Sequence, residues 1–374
     1  MNNCPPDHRR SARLYRDDLL FYDPVSYGTK GELPCLMEIT TDTLSLTAPS
    51  GRSGRRNRIR PLSAVVILLP SALLLTALLL HDLLPNKQPV AHAAQYGYLI
   101  LIALGFYLLW AVSAFAWEGA FRRIRSQAPV TALIILIVGV WELFTLKLNS
   151  LPLPYFPSPV KIADALINDR HKLLICTLYS LRLLVLGYLI GTFCGLVTGI
   201  LMGWYRQFQY WINPFLRFIG PLPATAWIPV VLLVFPSSFT ASIFLIALGT
   251  WFPVSVMTWS GVSSVNKSYF EVAKTLGAGE RYLVFKVAVP AALPLIFIGL
   301  FMGLGTSFVT LVVAEMLGVK AGLGFYISWA QGWAEYYKVY AALLIMAVLF
   351  STVMTLLFKL RDRVLTWQKG LIKW

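Results

Sequence analysis

Of the 374 residues, 57% are hydrophobic and 13% are charged, whereas soluble domains carry about 25% charged residues; water is not the main solvent of this chain. Its apolar residues gather into runs of about 20, enough to cross a hydrocarbon core ~30 Å thick at ~1.5 Å per helical residue, and the two-residue alternation of barrel strands is missing. The net charge of +15 follows from the concentration of basic residues on the cytoplasmic side of membrane proteins, so no nucleic-acid partner is expected.

Residues 1–60 contain seven acidic and ten basic residues with no sustained period, and are expected to form a disordered cytoplasmic tail. The first apolar run starts near Pro61, too late for a cleavable signal peptide, and is expected to stay as an anchor. Runs follow at about 62–80, 95–117, 130–148, 173–203, 218–235, 239–263, 287–318 and 339–358. The fourth carries Gly187, Gly191, Gly195, Gly199 and Gly203, a smooth stripe on which another helix can pack closely. Between the third and fourth runs, prolines 152, 154, 157 and 159 prevent helix until Ser158 and Pro159, which suit an N-cap and a first helical residue. An external interfacial helix is expected there, with Val160, Ile162, Ala163, Leu166 and Ile167 on one face.

Alternating loops place nineteen basic residues on one side and seven on the other, which predicts eight crossings and both termini in the cytoplasm. Cys4, Cys35, Cys176 and Cys194 have no paired spacing that would suggest a metal or redox site. The four histidines, at 8, 81, 92 and 171, read as tail or loop residues and leave no catalytic constellation within the spans. Neither a phosphate-binding G-x-x-x-x-G-K-[ST] loop nor H-E-x-x-H occurs.

The inside loop after the sixth run is amphipathic on both sides of Gly277. A helix from about Lys267 to Leu276 is expected to end on Gly277 in the left-handed conformation, and a second helix to start near Gly279 and enter the membrane past Pro290. Such a hairpin suits docking into a groove of another protein, with Ala273 permitting close approach and Glu271 offering a carboxylate. Glu271, Ala273, Gly277 and Pro290 resemble the E-x-A-x-x-x-G loop of bacterial ABC importer permeases, with Val272 where a second alanine is common.

The resemblance spans about residues 130–368 and is to the nitrate/sulfonate/taurine/bicarbonate branch of those permeases. It is carried by Leu153-Pro154-x-x-Pro157-Ser158-Pro159, Pro221-x-Pro223 with Pro229, Phe244 to Gly249 with Phe252-Pro253, Leu276-Gly277-Ala278, and Val313-Ala314-Glu315-Met316-Leu317 followed by Gly322-Leu323-Gly324. Arg182 sits one residue earlier than in the branch's usual pattern. The resemblance implies an all-α polytopic membrane protein of the bacterial cytoplasmic membrane, with a six-helix type I permease core over 126–368. Two extra transmembrane helices over 61–125 precede the core, and a short cytoplasmic tail, 369–374, follows it. It further implies a transport subunit and not an enzyme: a homodimer with two ATP-binding subunits, which hold the ATP and magnesium, and a periplasmic or lipid-anchored substrate-binding protein. Glu271, Ala273, Leu276, Gly277 and Ala278 would form the coupling loop.

Polar side chains are costly in lipid and so are candidates for the pathway or its gate: Thr225, Trp227, Thr250, Trp251, Thr306, Ser307, Thr310 and Glu315. Ordinary helix packing is the alternative for the hydroxyls and indoles, and local capping or pairing with Lys320 for Glu315. The rival to an ATP-driven importer is an ion-coupled secondary transporter, for which inverted repeats and paired intramembrane carboxylates would be expected.

Overall fold

The computed structural model describes residues 61–367 except Pro89, Ala91, His92, Trp117 and Pro152; the expected tails at 1–60 and 369–374 lie outside the described residues. All regular secondary structure among the described residues is helical, with no strand. Helices α1 (Pro61–Leu83), α2 (Ala93–Ala116) and α3 (Glu118–Glu142) come first, and a π-helical turn, Leu143–Lys147, extends the third. Then follow α4 (Pro159–Asn168), α5 (Arg170–Trp204), α6 (Arg206–Ile219), α7 (Ile228–Val234) and α8 (Ser238–Ser263). The chain ends with α9 (Lys267–Thr275), α10 (Glu280–Tyr282), α11 (Val289–Gly318), α12 (Leu323–Gly332) and α13 (Tyr336–Val364). Large apolar side chains remain exposed along the outward faces, as a hydrocarbon solvent allows.

The centre of the molecule is α8, packed between α5 and α11. In lipid the driving force is close packing, so the seam uses small residues. A Cβ on Gly187 would fall 2.6 Å from Ile246, on Gly195 2.8 Å from Val254, on Gly199 2.5 Å from Thr258 and on Gly203 2.6 Å from Val262. Both series rise together, so α5 and α8 run parallel. Across α8 the order reverses: Gly299 meets Met257 and Pro253, and Gly303 meets Val254 and Thr250, so α11 is antiparallel.

Parallel packing has a topological consequence. Among the described residues, seven helices are long and apolar enough to cross a membrane, and the pair Arg206–Ile219 with Ala224–Val234 is bent by 84°. That pair must return the chain from the end of α5 to the end where α8 starts. It does so in steps: Gly220 abuts Phe252 in the middle of α8, Ala224 lies beside Gly249, and Leu232 reaches Gly318. The span expected at 218–235 is accordingly interrupted, in keeping with its run of prolines. Pro221 and Pro223 break it, and a 3-10 turn, Ala224–Trp227, restarts it. With this bent pair counted as one span, the described residues hold up to eight candidate crossings.

Helix α4 begins at Pro159 as the sequence predicts, but its Ser158 hydroxyl makes no capping bond and is buried without a partner. Its packed face is Val160, Ile162 and Ala165, while Ile167 is exposed. The Arg182 guanidinium lies 5.0 Å above the Phe239 ring. In the first three helices, Ile67, Tyr107, Ala111 and Ile124 form a small core, and the Tyr107 hydroxyl donates to the Ile67 carbonyl at 2.8 Å.

Like His171, which lies in the first turn of α5, His81 departs from the sequence reading. It lies in the last turn of α1, not in a loop, and is buried. Its Nδ1 sits 2.6 Å from Glu142 Oε1 and its Nε2 3.1 Å from the Ala93 carbonyl. Beside it, Lys147 Nζ donates to the carbonyls of His81 and Leu84, both at 2.6 Å, and to Asn86 Oδ1 at 2.7 Å. The buried charges are satisfied as a group, which makes their burial tolerable.

Candidate functional site

Two regions hold the residues singled out by the sequence. The first is the hairpin after α8. Asn266 caps α9, its side chain accepting from the Ser268 N–H at 3.1 Å. The helix ends on Gly277 at φ +81°. The Gly277 N–H reaches the Lys274 carbonyl at 2.9 Å and the Ala278 N–H the Ala273 carbonyl at 3.0 Å, the paired bonds of a Schellman motif. A Cβ on Gly277 would touch nothing within 4 Å, so the glycine is needed for its backbone conformation alone. The chain re-enters helix at Glu280 and widens into a π-helical turn, Leu283–Ala288, just before Pro290. There the Val289 N–H reaches back to the Val284 carbonyl.

One side of this hairpin is anchored. Phe270 stacks edge-on against Trp204 at 5.5 Å between ring centres, over the buried side chains Val262, Ala288, Ala292 and Ile296. The opposite side is open: Glu271 is exposed, and so are Tyr269, Val272 and Leu276, the last at 83%. Ala273 and Ala278 are half-buried.

The second region is the polar content of the bundle. Thr225 and Trp227 stand half-buried in the 3-10 turn, and the Trp227 indole N–H is buried without an acceptor. Thr250 is fully buried and bonds its own helix at the Ile246 carbonyl, 2.8 Å. Trp251 turns to α5, donating to Thr198 Oγ1 at 3.1 Å, which in turn lies 2.7 Å from Ser255 Oγ. Thr306 is exposed on α11 and bridges to α8 through the Gly249 carbonyl at 2.8 Å. Ser307 and Thr310 are buried and bond back to Leu304 and Thr306 within α11.

Glu315, near the end of α11, is fully buried. Its Oε2 accepts from Ser180 Oγ at 2.9 Å and from the Gly324 N–H at 2.8 Å, while Ser180 Oγ accepts from the Leu323 N–H at 2.9 Å. Two side chains thus satisfy two of the free N–H groups that open α12. Gly322, at φ +136°, admits the carboxylate, since a Cβ there would lie 2.5 Å from it. The partners of Glu315 are Ser180 and α12, not Lys320. Below α12, Tyr326 Oη donates to Asp169 at 2.6 Å. Burial, and then that carboxylate, hold the phenol's pKa above its usual value.

Residues 191–366 match the family described as "Binding-protein-dependent transport system inner membrane component". The chain is 31% identical over 239 residues to a Bacillus subtilis protein described as "Putative aliphatic sulfonates transport permease protein SsuC", covering 63% of this chain and 85% of that one. The chain belongs to this permease family. The permease is also 33% identical over 193 residues to the bicarbonate transport system permease protein CmpB of Synechococcus elongatus, covering 51% of this chain and 66% of the relative. It is 27% identical over 250 residues to the formylaminopyrimidine transport permease protein ThiX of Halalkalibacterium halodurans, covering 66% and 99%. All three matches fall within the nitrate/sulfonate/bicarbonate branch expected from the motifs. The family match starts at Gly191, inside α5, and includes none of α1 to α4. Neither Phe270 nor the His81–Glu142 pair was legible as a contact, because each partner lies more than 60 residues away in sequence; only the aromatic flanking the E-x-A motif hinted at the first.

Proposed function

We propose that this permease is the membrane subunit of an ATP-driven importer and that the hairpin built on Gly277 is where a separate ATPase subunit grips it. The carrying observation is the pairing of an anchored and an open face on one rigid turn. Leu276, Val272 and Glu271 present an apolar patch with a carboxylate to a partner, while Phe270 fixes the same helix to Trp204 at the end of α5. A push on α9 is thereby delivered to α5 and to the start of α11, and through their seams to α8. Ala273 and Ala278 keep the approach close, and Leu276 fills the partner's groove.

On this reading two copies enclose the pathway, two ATP-binding subunits hold ATP and magnesium, and an external binding protein delivers the solute. Both termini face the cytoplasm. Thr225, Trp227 and Thr306 are the polar groups best placed to meet a solute, Trp227 with an indole donor that has no acceptor. The solute is small: an aliphatic sulfonate or bicarbonate, as in two relatives' names, or a nitrate- or taurine-like solute or another small organic molecule. With no basic side chain among those groups, holding is weak, and selectivity belongs to the binding protein.

The test is copurification of a coexpressed ATP-binding ABC subunit, together with ATP-dependent uptake into vesicles. Glu271→Arg and Gly277→Val should each lose both, with normal amounts of permease in the membrane. Retained copurification in both variants would overturn the docking role, and uptake without any ATPase would favour the ion-coupled alternative.

A further inference from the structure

A cavity of about 330 Å³ lies between the first turns of α5 and the helix α12, lined among others by Lys172, Ile175, Lys320, Phe325, Tyr326 and Trp329. Its volume is at the lower end of the ~300–1,000 Å³ range of small-molecule sites. Its charge is unbalanced. The carboxylates nearest to it are already engaged: Asp169 accepts from Tyr326 Oη at 2.6 Å, Glu335 Oε2 lies 2.7 Å from Lys338 Nζ, and Glu315 is held by Ser180 and Gly324. Among the described residues, no carboxylate lies within ion-pair distance of Lys172 or Lys320, both of which are exposed. Lys172 Nζ stands 5.3 Å from the centre of the Trp329 ring, and Lys338 Nζ lies 5.0 Å from the same ring, so the indole is already saturated with cations and cannot neutralise them.

The apolar wall points to the occupant. Ile175 continues directly into Leu174, Leu178, Leu186 and Leu189, an exposed apolar stripe of α5. A ligand filling this cavity thus has an anionic end between two ammonium groups and an apolar end running along a lipid-facing helix. Phe325, Tyr326 and Trp329 supply the aromatic ring set typical of the interface between head groups and chains. A freely soluble anion would use the lysines and leave the wall unexplained; a zwitterionic lipid would use the wall but bring its own cationic group beside two ammonium groups, so its head group adds no net negative charge to balance them.

We propose that this cavity binds the head group of an anionic phospholipid, with its phosphate between Lys172 and Lys320 and an acyl chain along Ile175 and Leu178. Because α12 is also pinned by Glu315 and Ser180, the lipid braces the same short helix from its outer side.

The experiment uses the full chain in detergent, with phosphatidylglycerol, phosphatidylcholine or sn-glycerol 1-phosphate added, read by thermal unfolding and by retained lipid in native mass spectrometry. Phosphatidylglycerol should raise the melting temperature and be retained, whereas the other two should do neither. A basic side chain near an anionic lipid is worth roughly fivefold in affinity, so Lys172→Gln with Lys320→Gln should lower retention roughly thirtyfold, while Lys172→Arg with Lys320→Arg should preserve it. If the glutamine pair fails to fold, the single Lys320→Gln variant, at an exposed and unpaired side chain, must still show roughly a fivefold loss. Equal retention of phosphatidylcholine, an equal shift with sn-glycerol 1-phosphate, or unchanged retention in the glutamine variants would each overturn the assignment.

Discussion

Glu315 ties three elements together through a single oxygen: it ends α11, takes the Ser180 hydroxyl of α5 and closes the first turn of α12. Removing the carboxyl leaves Ser180 and the Gly324 N–H buried without an acceptor, and a buried polar group so orphaned costs ~1–3 kcal/mol. Glu315→Ala should therefore lower stability by about that much per orphaned group, and Glu315→Gln, whose amide oxygen can still accept from Gly324, by clearly less. Thermal unfolding of the purified chain measures both. Equal losses would mean that the negative charge itself, and not the acceptor, holds α12. The residue was legible in sequence as a costly intramembrane acid, but its role was not, because Ser180 is 135 positions away and nothing local to Val313–Leu317 names it. His81 was misread for the related reason that a histidine near a helix end is indistinguishable from a loop histidine until Glu142, 61 residues on, is brought against it.

Glycine serves opposite purposes in two elements. At the α5–α8 seam it is absent bulk: a methyl on Gly199 would lie 2.5 Å from Thr258, and both helices would have to part along their length. At Gly277 it is backbone freedom, with open space around it. Gly199→Ala should thus destabilise the bundle by about 1–3 kcal/mol, the usual cost of overpacking. Gly277→Ala, which carries only the left-handed penalty of ~1–2 kcal/mol, should fray the end of α9 and leave the melting of the bundle nearly unchanged. Hydrogen exchange of the amides of 267–278, read beside the global melting temperature, separates the two; matching global losses would contradict the division. Both glycine patterns were visible in sequence, since a four-residue stripe and a helix-ending Gly are local signals. What could not be read was the partner of the stripe or its direction, because a small-residue face fits a parallel or an antiparallel neighbour equally well. The broken fifth crossing lies between these cases: Pro221 and Pro223 are helix breakers visible in the sequence, but only contact with Phe252 and Gly249 shows at which depth the chain turns.

At the scale of the molecule, internal contacts sort the loops into two ends before any membrane is invoked. The Lys87 N–H bonds the Leu146 carbonyl, Gln88 bonds Asn149, Tyr326 bonds Asp169 and Tyr340 reaches the Tyr155 carbonyl, so 84–88, 146–158 and 319–335 share one end. The other end holds Trp204 against Phe270, and with it the hairpin. Leaving aside the first 60 residues, the sequence places fourteen basic residues toward the hairpin end and seven toward the opposite one, which supports the cytoplasmic placement proposed for the hairpin. Single cysteines at Lys87, Trp333 and Lys274, in a chain whose four native cysteines are replaced, give this a direct readout with a membrane-impermeant maleimide. Lys87→Cys and Trp333→Cys should label from outside intact cells to more than about tenfold the level of Lys274→Cys, and permeabilisation should bring all three level. Labelling of Lys274→Cys from outside would place the hairpin beyond reach of any cytoplasmic ATPase. Opposite accessibility of Lys87→Cys and Trp333→Cys would instead mean that the bent segment between α5 and α8 fails to cross, which the parallel seam from Gly187 to Gly203 forbids.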